Sequence, residues 1–323
     1  MRLLLVELDR FRSRRAIALM LLGGLLLTAV LVGTALWDTR PVTDAERAEA
    51  ESQVATAAAD PRLQREQAQC EQQPQDFFGP DATASDCAGL APRLEDFHPR
   101  NTLDLDRVVE NRGTVQIVVV TALLVLCAAT FAGGDWHTGS LANQLLFRPR
   151  RSQVWGAKAG AVVVASAVAA TVLVGVFWLA LLVAARARGI DVPAAVQSDI
   201  WWTSVRGVAL AVGGALGGYA VTMLLASTVA TLAVLFGYAV GGEALLLTLP
   251  FDRVSRFSLA QNVLAWVGDG QRVFDNDVTC SPGLGGCEKS YVLGMGHGAA
   301  YLAVLLVVTT LLSWAWFRRR DIR

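Results

Sequence analysis

The residue types through which this sequence could do chemistry are few. Of its 28 basic residues only Lys158 and Lys289 are lysine. A phosphate-cradling P-loop needs Gly-Lys-Ser/Thr, so that backbone N–H groups and the lysine ammonium meet the phosphates together. Ala157 precedes one lysine and Glu288 the other, so the chain carries no P-loop. The three histidines, His98, His137 and His297, are far apart, and none belongs to a His-Glu-x-x-His pair that would hold zinc from one helix face. No Gly-x-Ser-x-Gly elbow presents a nucleophile. An intramembrane serine protease would need a serine facing a histidine such as His297. A lone histidine among glycines more often packs or bonds between helices. The expectation is therefore no catalytic residue, no metal site and no resident cofactor.

Glu243 is the one charged side chain in the 44 residues from Gly207 to Pro250. An ionisable group at membrane depth is costly and points to function by default. An ion-coupled transporter would use it directly. A glutamate near a helix end, or one protonated and bonded to a neighbouring span, accounts for it as well.

These residues have to be positioned by membrane spans. Of the 323 residues 54% are hydrophobic and 17% charged, against about 25% charged in soluble domains. The net charge of zero leaves no basic footprint for nucleic acid. Runs of some 20 apolar residues cross a hydrocarbon core of about 30 Å, and must be helical because lipid satisfies no backbone polar group. The first run, Ala16 to Leu36, is too long for a signal-peptide core and lacks a small-x-small cleavage site, so it is expected to be retained as span 1 over residues 16–37. Ahead of it, Leu4, Leu8 and Phe11 recur at helical spacing, which predicts an interfacial amphipathic helix over residues 1–15. Val115 to Ala132 and Ala157 to Ala185 supply spans 2 and 3, separated by a polar segment, 133–156. Arg186 to Thr203 reads as a short loop carrying Trp201 and Trp202, suited to a membrane interface. Gly207 to Pro250 is long enough for two spans with a turn near Ser227 and Thr228. Gly213/Gly217, Gly214/Gly218 and Gly237/Gly241 stand four apart, a spacing that lets helix backbones approach closely. Gly294 to Phe317 is the last span. The fold expected is an all-α membrane protein with six transmembrane helices, a large extracytoplasmic insertion over 38–114 and a smaller one over 251–293, in which Phe257 to Val267 suits a short amphipathic helix.

The insertion over 38–114 holds 16 Asp and Glu against 8 Arg and is too long for a turn, so a small domain is expected. Arginine-rich ends and the Arg148–Lys158 segment fall on one side of a six-span frame, which predicts both termini in the cytoplasm of a multi-pass protein of the cytoplasmic membrane. Arg186, Arg188 and Arg206 fall on the other side, against the trend. Cys70, Cys87, Cys280 and Cys287 all land outside, where disulfides persist. Pairing Cys70 with Cys87 and Cys280 with Cys287 is the simplest connectivity, but spacing does not fix it, and four free thiols are the alternative. Abundant Ala and Arg with scarce Lys suggest a GC-rich bacterial genome.

Three segments together resemble a family. Glu7-Leu8-Asp9-Arg10-Phe11-Arg12-Ser13-Arg14-Arg15 stands just before span 1. Asp135, Thr138-Gly139-Ser140-Leu141, Leu145-Leu146-Phe147-Arg148-Pro149-Arg150-Arg151 and then Lys158 follow span 2. Phe317-Arg318-Arg319-Arg320-Asp321-Ile322 closes the chain. Their order is similar to that in permease subunits of ABC type-2 transporters, with Asp135 where glutamate is usual and an unusually long first external loop. The resemblance implies an exporter of unstated substrate, working as a homodimer or with a second permease. A separate ATP-binding cassette subunit would hold ATP and Mg. It also implies that Asp135, Thr138, Gly139, Ser140, Leu141, Leu145, Leu146, Arg148, Pro149, Arg151 and Lys158 form the coupling segment. Leu141, Leu145 and Leu146 read as an apolar face rimmed by arginine, a pattern that suits a protein partner or the lipid bilayer. Two other readings stand beside it: a sensor or assembly protein whose external domain binds a partner, and a secondary transporter working through Glu243.

Overall fold

The computed structural model describes residues 2–79, 82–97, 100, 102–249, 253–274 and 290–320. Helix α1 (Arg2–Ser13) is followed after Arg14 by α2 (Arg15–Asp38). Helices α3 (Asp44–Ala58), α4 (Pro61–Gln72) and α5 (Pro74–Phe78) come next, then short 3₁₀ turns. A helical run of 33 residues contains α6 (Leu105–Val108), a π turn and α7 (Thr114–His137). Then come α8 (Ser140–Phe147), α9 (Arg151–Ala187), α10 (Ala194–Leu225), α11 (Thr228–Gly237), a π turn at Tyr238–Gly242 and α12 (Glu243–Leu247). Helix α13 (Leu259–Val267), strands β1 (Gln271–Phe274) and β2 (Ser290–Leu293), and α14 (Met295–Arg319) complete it. Among the described residues six helices are long and apolar enough to cross a membrane. At 1.5 Å per residue the shortest, of 19 residues, reaches about 28 Å. The chain is a multi-pass helical membrane protein.

The chain folds as two compact units, one of residues 1–32 with 105–323 and one of residues 33–104. Within the smaller unit, Thr43 caps α3 in a reciprocal box with Glu46, and Pro61 opens α4 behind the cap of Asp60. The Arg100 guanidinium pairs with Glu46. With the Thr43 backbone N–H and hydroxyl, it holds the Glu46 carboxyl down at about 2. A disulfide joins Cys70 to Cys87. Cys280, Cys287, Lys289, His98, Asp321 and Ile322 lie outside the described residues.

In the larger unit α10 packs most extensively on α7, then on α9 and α14. Tandem glycines make this possible. A Cβ on Gly214 would stand 2.9 Å from Thr121 Cγ2, and one on Gly218 3.1 Å from the Val125 carbonyl oxygen, so this pair faces α7. Gly213 and Gly217 face Leu306 of α14, while Gly237 and Gly241 of α11 and its π turn meet nothing within 4 Å. Tyr219 of α10 donates to the Trp155 carbonyl at 2.9 Å, and Trp155 Nε1 donates to Ser313 Oγ at 3.3 Å, stitching α10, α9 and α14 together.

Several expectations are corrected. Residues 105–113, assigned to the insertion, continue into α7. Trp201 and Trp202 sit within α10, which begins at Ala194, and not in a loop; both are exposed. The turn expected near Ser227 and Thr228 does fall there: Ala226 takes φ of 53° and the Ser227 side chain caps α11. A two-stranded antiparallel pair, Gln271–Phe274 with Ser290–Leu293, interrupts the all-α pattern. It forms because Val273 and Leu293 bury beside Ala265 of α13. Arg206, which ran against the charge trend, donates to the Val267 carbonyl at 3.2 Å, satisfying the end of α13 where a cation suits the helix dipole.

Candidate functional site

Lys158 and Glu7 are both fully buried (0% exposed) and Asp135 nearly so. Each comes from a different helix. Glu7 lies one turn before Phe11 on α1, whose ring packs 5.1 Å from Phe131 of α7. Asp135 lies in the last turn of α7, and Lys158 two turns into α9. Lys158 Nζ donates to Glu7 Oε2 at 2.8 Å and to Asp135 Oδ2, and stands 5.2 Å from the Phe131 ring centroid, on its negative face. Asp135 Oδ1 also accepts from Arg14 and, at 3.0 Å, from Ser140 Oγ. Glu7 Oε1 accepts from Gln144 Nε2 at 2.6 Å, with Arg10 3.5 Å away. Arg14 donates further to the Thr130 and Phe131 carbonyls.

Two carboxylates thus meet two cations, Lys158 and Arg14, with Arg10 at the margin. Desolvating such charges costs several kcal/mol per ion, of the order of their mutual attraction, so the cluster specifies an arrangement more than it adds stability. Every carboxylate oxygen of the cluster is engaged, so neither acid is poised as a base or a nucleophile. The arrangement is mechanical: it fastens α1, the end of α7, the start of α8 and the start of α9 into one body. Gly134 lets Arg14 lie against α7, since a Cβ there would strike its guanidinium. Gly139 takes φ of 68°, where a side chain is strained, and turns the chain from α7 into α8.

The residues singled out from sequence divide accordingly. Asp135, Ser140 and Lys158 converge in the cluster. Thr138 donates back to the Gly134 carbonyl at 2.9 Å. Leu141 is buried and Leu145 packs against the core, so these two face the body of the protein and not a partner. Leu146 and Phe147, 80% and 87% exposed, are the large apolar side chains of α8 that stand bare, beside exposed Arg148, Pro149 and Arg150. The reason is helical phase: 141 and 145 share a face, and 146 is turned by about 100°. Arg151 donates to the Arg320 carbonyl, bringing the end of α14 to the same junction. Glu243 and His297 are not in the cluster. Glu243 Oε1 accepts from the Ala260 N–H at 3.0 Å and lies 3.4 Å from the Tyr238 hydroxyl, tying α12 to the first turn of α13; His297 is exposed at the start of α14. Glu7, Arg14 and Gln144 are the members that sequence reasoning did not assign to the site. Glu7 and Asp9 are the two acids of α1, and the sequence does not distinguish the one that turns inward, Glu7, from the one that stays exposed.

No protein-family model, curated protein or solved structure matches this chain.

Proposed function

We propose that the chain is the membrane-spanning permease subunit of an ATP-binding-cassette exporter, driven by ATP hydrolysis in a separate subunit. One observation carries this reading: a short helix, α8, is bonded through Ser140 and Gln144 to the buried carboxylates of Asp135 on α7 and Glu7 on α1, which Lys158 of α9 bridges, while its end, Leu146–Phe147, stays bare beside Arg148 and Arg150. A helix held so firmly at one end and exposed at the other is suited to receive a push and pass it on. In this reading Leu146 and Phe147 seat in a cleft of the ATPase. Movement there rotates α7 and α9 as one body with α1, since Lys158, Glu7, Asp135 and Arg14 couple them. The ATPase contributes ATP and Mg, and a second permease completes the pathway. Residues 33–104 lie on the external side, with the termini in the cytoplasm.

The test is affinity purification from native membranes in mild detergent, with mass spectrometry and an ATPase assay. The expected result is an ATP-hydrolysing partner recovered with the wild-type chain and lost with Leu146→Glu, Phe147→Glu, which keeps the helix content of wild type. A folded chain that brings down no ATPase, or a variant that retains it, would overturn the reading. The first of those outcomes would favour a sensor or assembly role for the disulfide-bonded unit.

A further inference from the structure

Helix α2 meets the rest of its unit at few points. Ile17 enters the core, Gly24 comes under Leu123, and Thr28 accepts from Gln116 at 2.8 Å. Between these points α1, α2 and α9 enclose a cleft of about 760 Å³, within the range of about 300–1,000 Å³ usual for ligand pockets. Its walls are aliphatic, with Leu21 and Leu25 of α2 opposite Ala165, Val168 and Val172 of α9. From Ile17 to Leu25 it runs about 12 Å along the helix. Its polar edge is formed by Asp9 and Arg12 of α1.

We propose that this cleft is a binding site for one membrane phospholipid bearing an amine headgroup, an acyl chain lying between α2 and α9. Hydrocarbon is the solvent that meets an apolar cleft on a membrane-spanning helix pair, and no polar group lines its depth. Charge complementarity sets the headgroup. Of the arginines at the α1–α2 junction, Arg14 is engaged by Asp135, Arg10 leans on Glu7, and Arg15, though exposed, does not line the cleft. Arg12 is exposed at the rim and takes the phosphate, where a charge-assisted bond is strong. Asp9, exposed one turn before it, accepts from the headgroup ammonium. A lipid seated there braces the outer side of α1, whose inner side carries Glu7. The inference is independent of the transport reading, since it concerns only the lipid contact of α1, α2 and α9.

The experiment is native mass spectrometry of the full chain in micelles, titrated with phosphatidylethanolamine or phosphatidylglycerol. Wild type should retain one phosphatidylethanolamine in preference to phosphatidylglycerol. Val168→Trp and Ala165→Trp, each filling the cleft, should lose it, whereas Val176→Trp, on the same helix outside the cleft, should keep it. Arg12→Gln should weaken retention about tenfold, the loss expected of one charge-assisted bond. Helix content and monodispersity equal to wild type qualify each variant. The proposal is overturned if folded wild type retains no lipid, if both folded filling variants retain it as wild type does, or if Arg12→Gln changes nothing. Equal retention of the two lipids would overturn the headgroup assignment.

Discussion

Replacing Lys158 by methionine keeps the length of the side chain and removes its charge. Glu7 Oε2 and Asp135 Oδ2 then lose their shared donor. Both carboxylates stay buried, Glu7 with Gln144 and the distant edge of Arg10, Asp135 with Arg14 and Ser140. Removing one partner of a buried pair costs about 3–5 kcal/mol, because the other charge is left uncompensated. That is a large part of the roughly 5–15 kcal/mol by which domains are stable. The cost should fall when the stranded charge is also removed. Glu7→Gln with Lys158→Met is expected to be less destabilised than the sum of the single changes by about 2 kcal/mol, a coupling typical of contacting charges. The assay is unfolding of the purified chain in mixed micelles, followed by tryptophan fluorescence, for wild type, both single variants and the double variant. Strict additivity, or Lys158→Met as stable as wild type, would falsify the claim that these residues act as one cluster.

The glycine stripes make unequal predictions. Gly218→Val, which presses on the Val125 backbone, should destabilise by about 3 kcal/mol. Gly237→Val, with nothing within 4 Å, should stay within about 1 kcal/mol of wild type; the same unfolding assay decides. In the smaller unit Arg100 holds the Glu46 carboxyl at about 2, below its ordinary range. The folded-state value is depressed, so the pair's contribution is complete above the ordinary carboxylate range and is lost as pH falls from there toward about 2. Arg100→Gln should raise the Glu46 midpoint toward the ordinary range, the Thr43 bonds still holding it below, followed by NMR of the carboxyl carbon; an unchanged midpoint would show that the Thr43 bonds alone are responsible.

The set of spans is legible from residue order. A run such as Ala16 to Leu36 has one structural solution in lipid, because only a helix satisfies its backbone internally. That logic is local, and so are the capping of α11 by Ser227 and the opening of α4 by Pro61. The start of α10 is less legible. Trp201 and Trp202 suit a loop or a helix end equally well, since an interface aromatic needs only one apolar and one wet side, and the helix begins before them at Ala194.

Which local features meet is a matter of packing. Glu7 on an amphipathic helix reads as solvent-facing, and only the docking of α1 on α9 turns it inward onto Lys158, 151 residues away. The pairs Gly213/Gly217 and Gly214/Gly218 look alike in sequence, yet one meets α14 and the other α7, while Gly237/Gly241 meets neither. Leu141, Leu145 and Leu146 look like one apolar face until α8 is docked and its phase buries two of them. Backbone satisfaction and hydrophobicity are properties of a segment, so a segment reveals them. Charge pairing, close approach and helix phase are properties of two segments at once, and they exist only when the chain has brought both together.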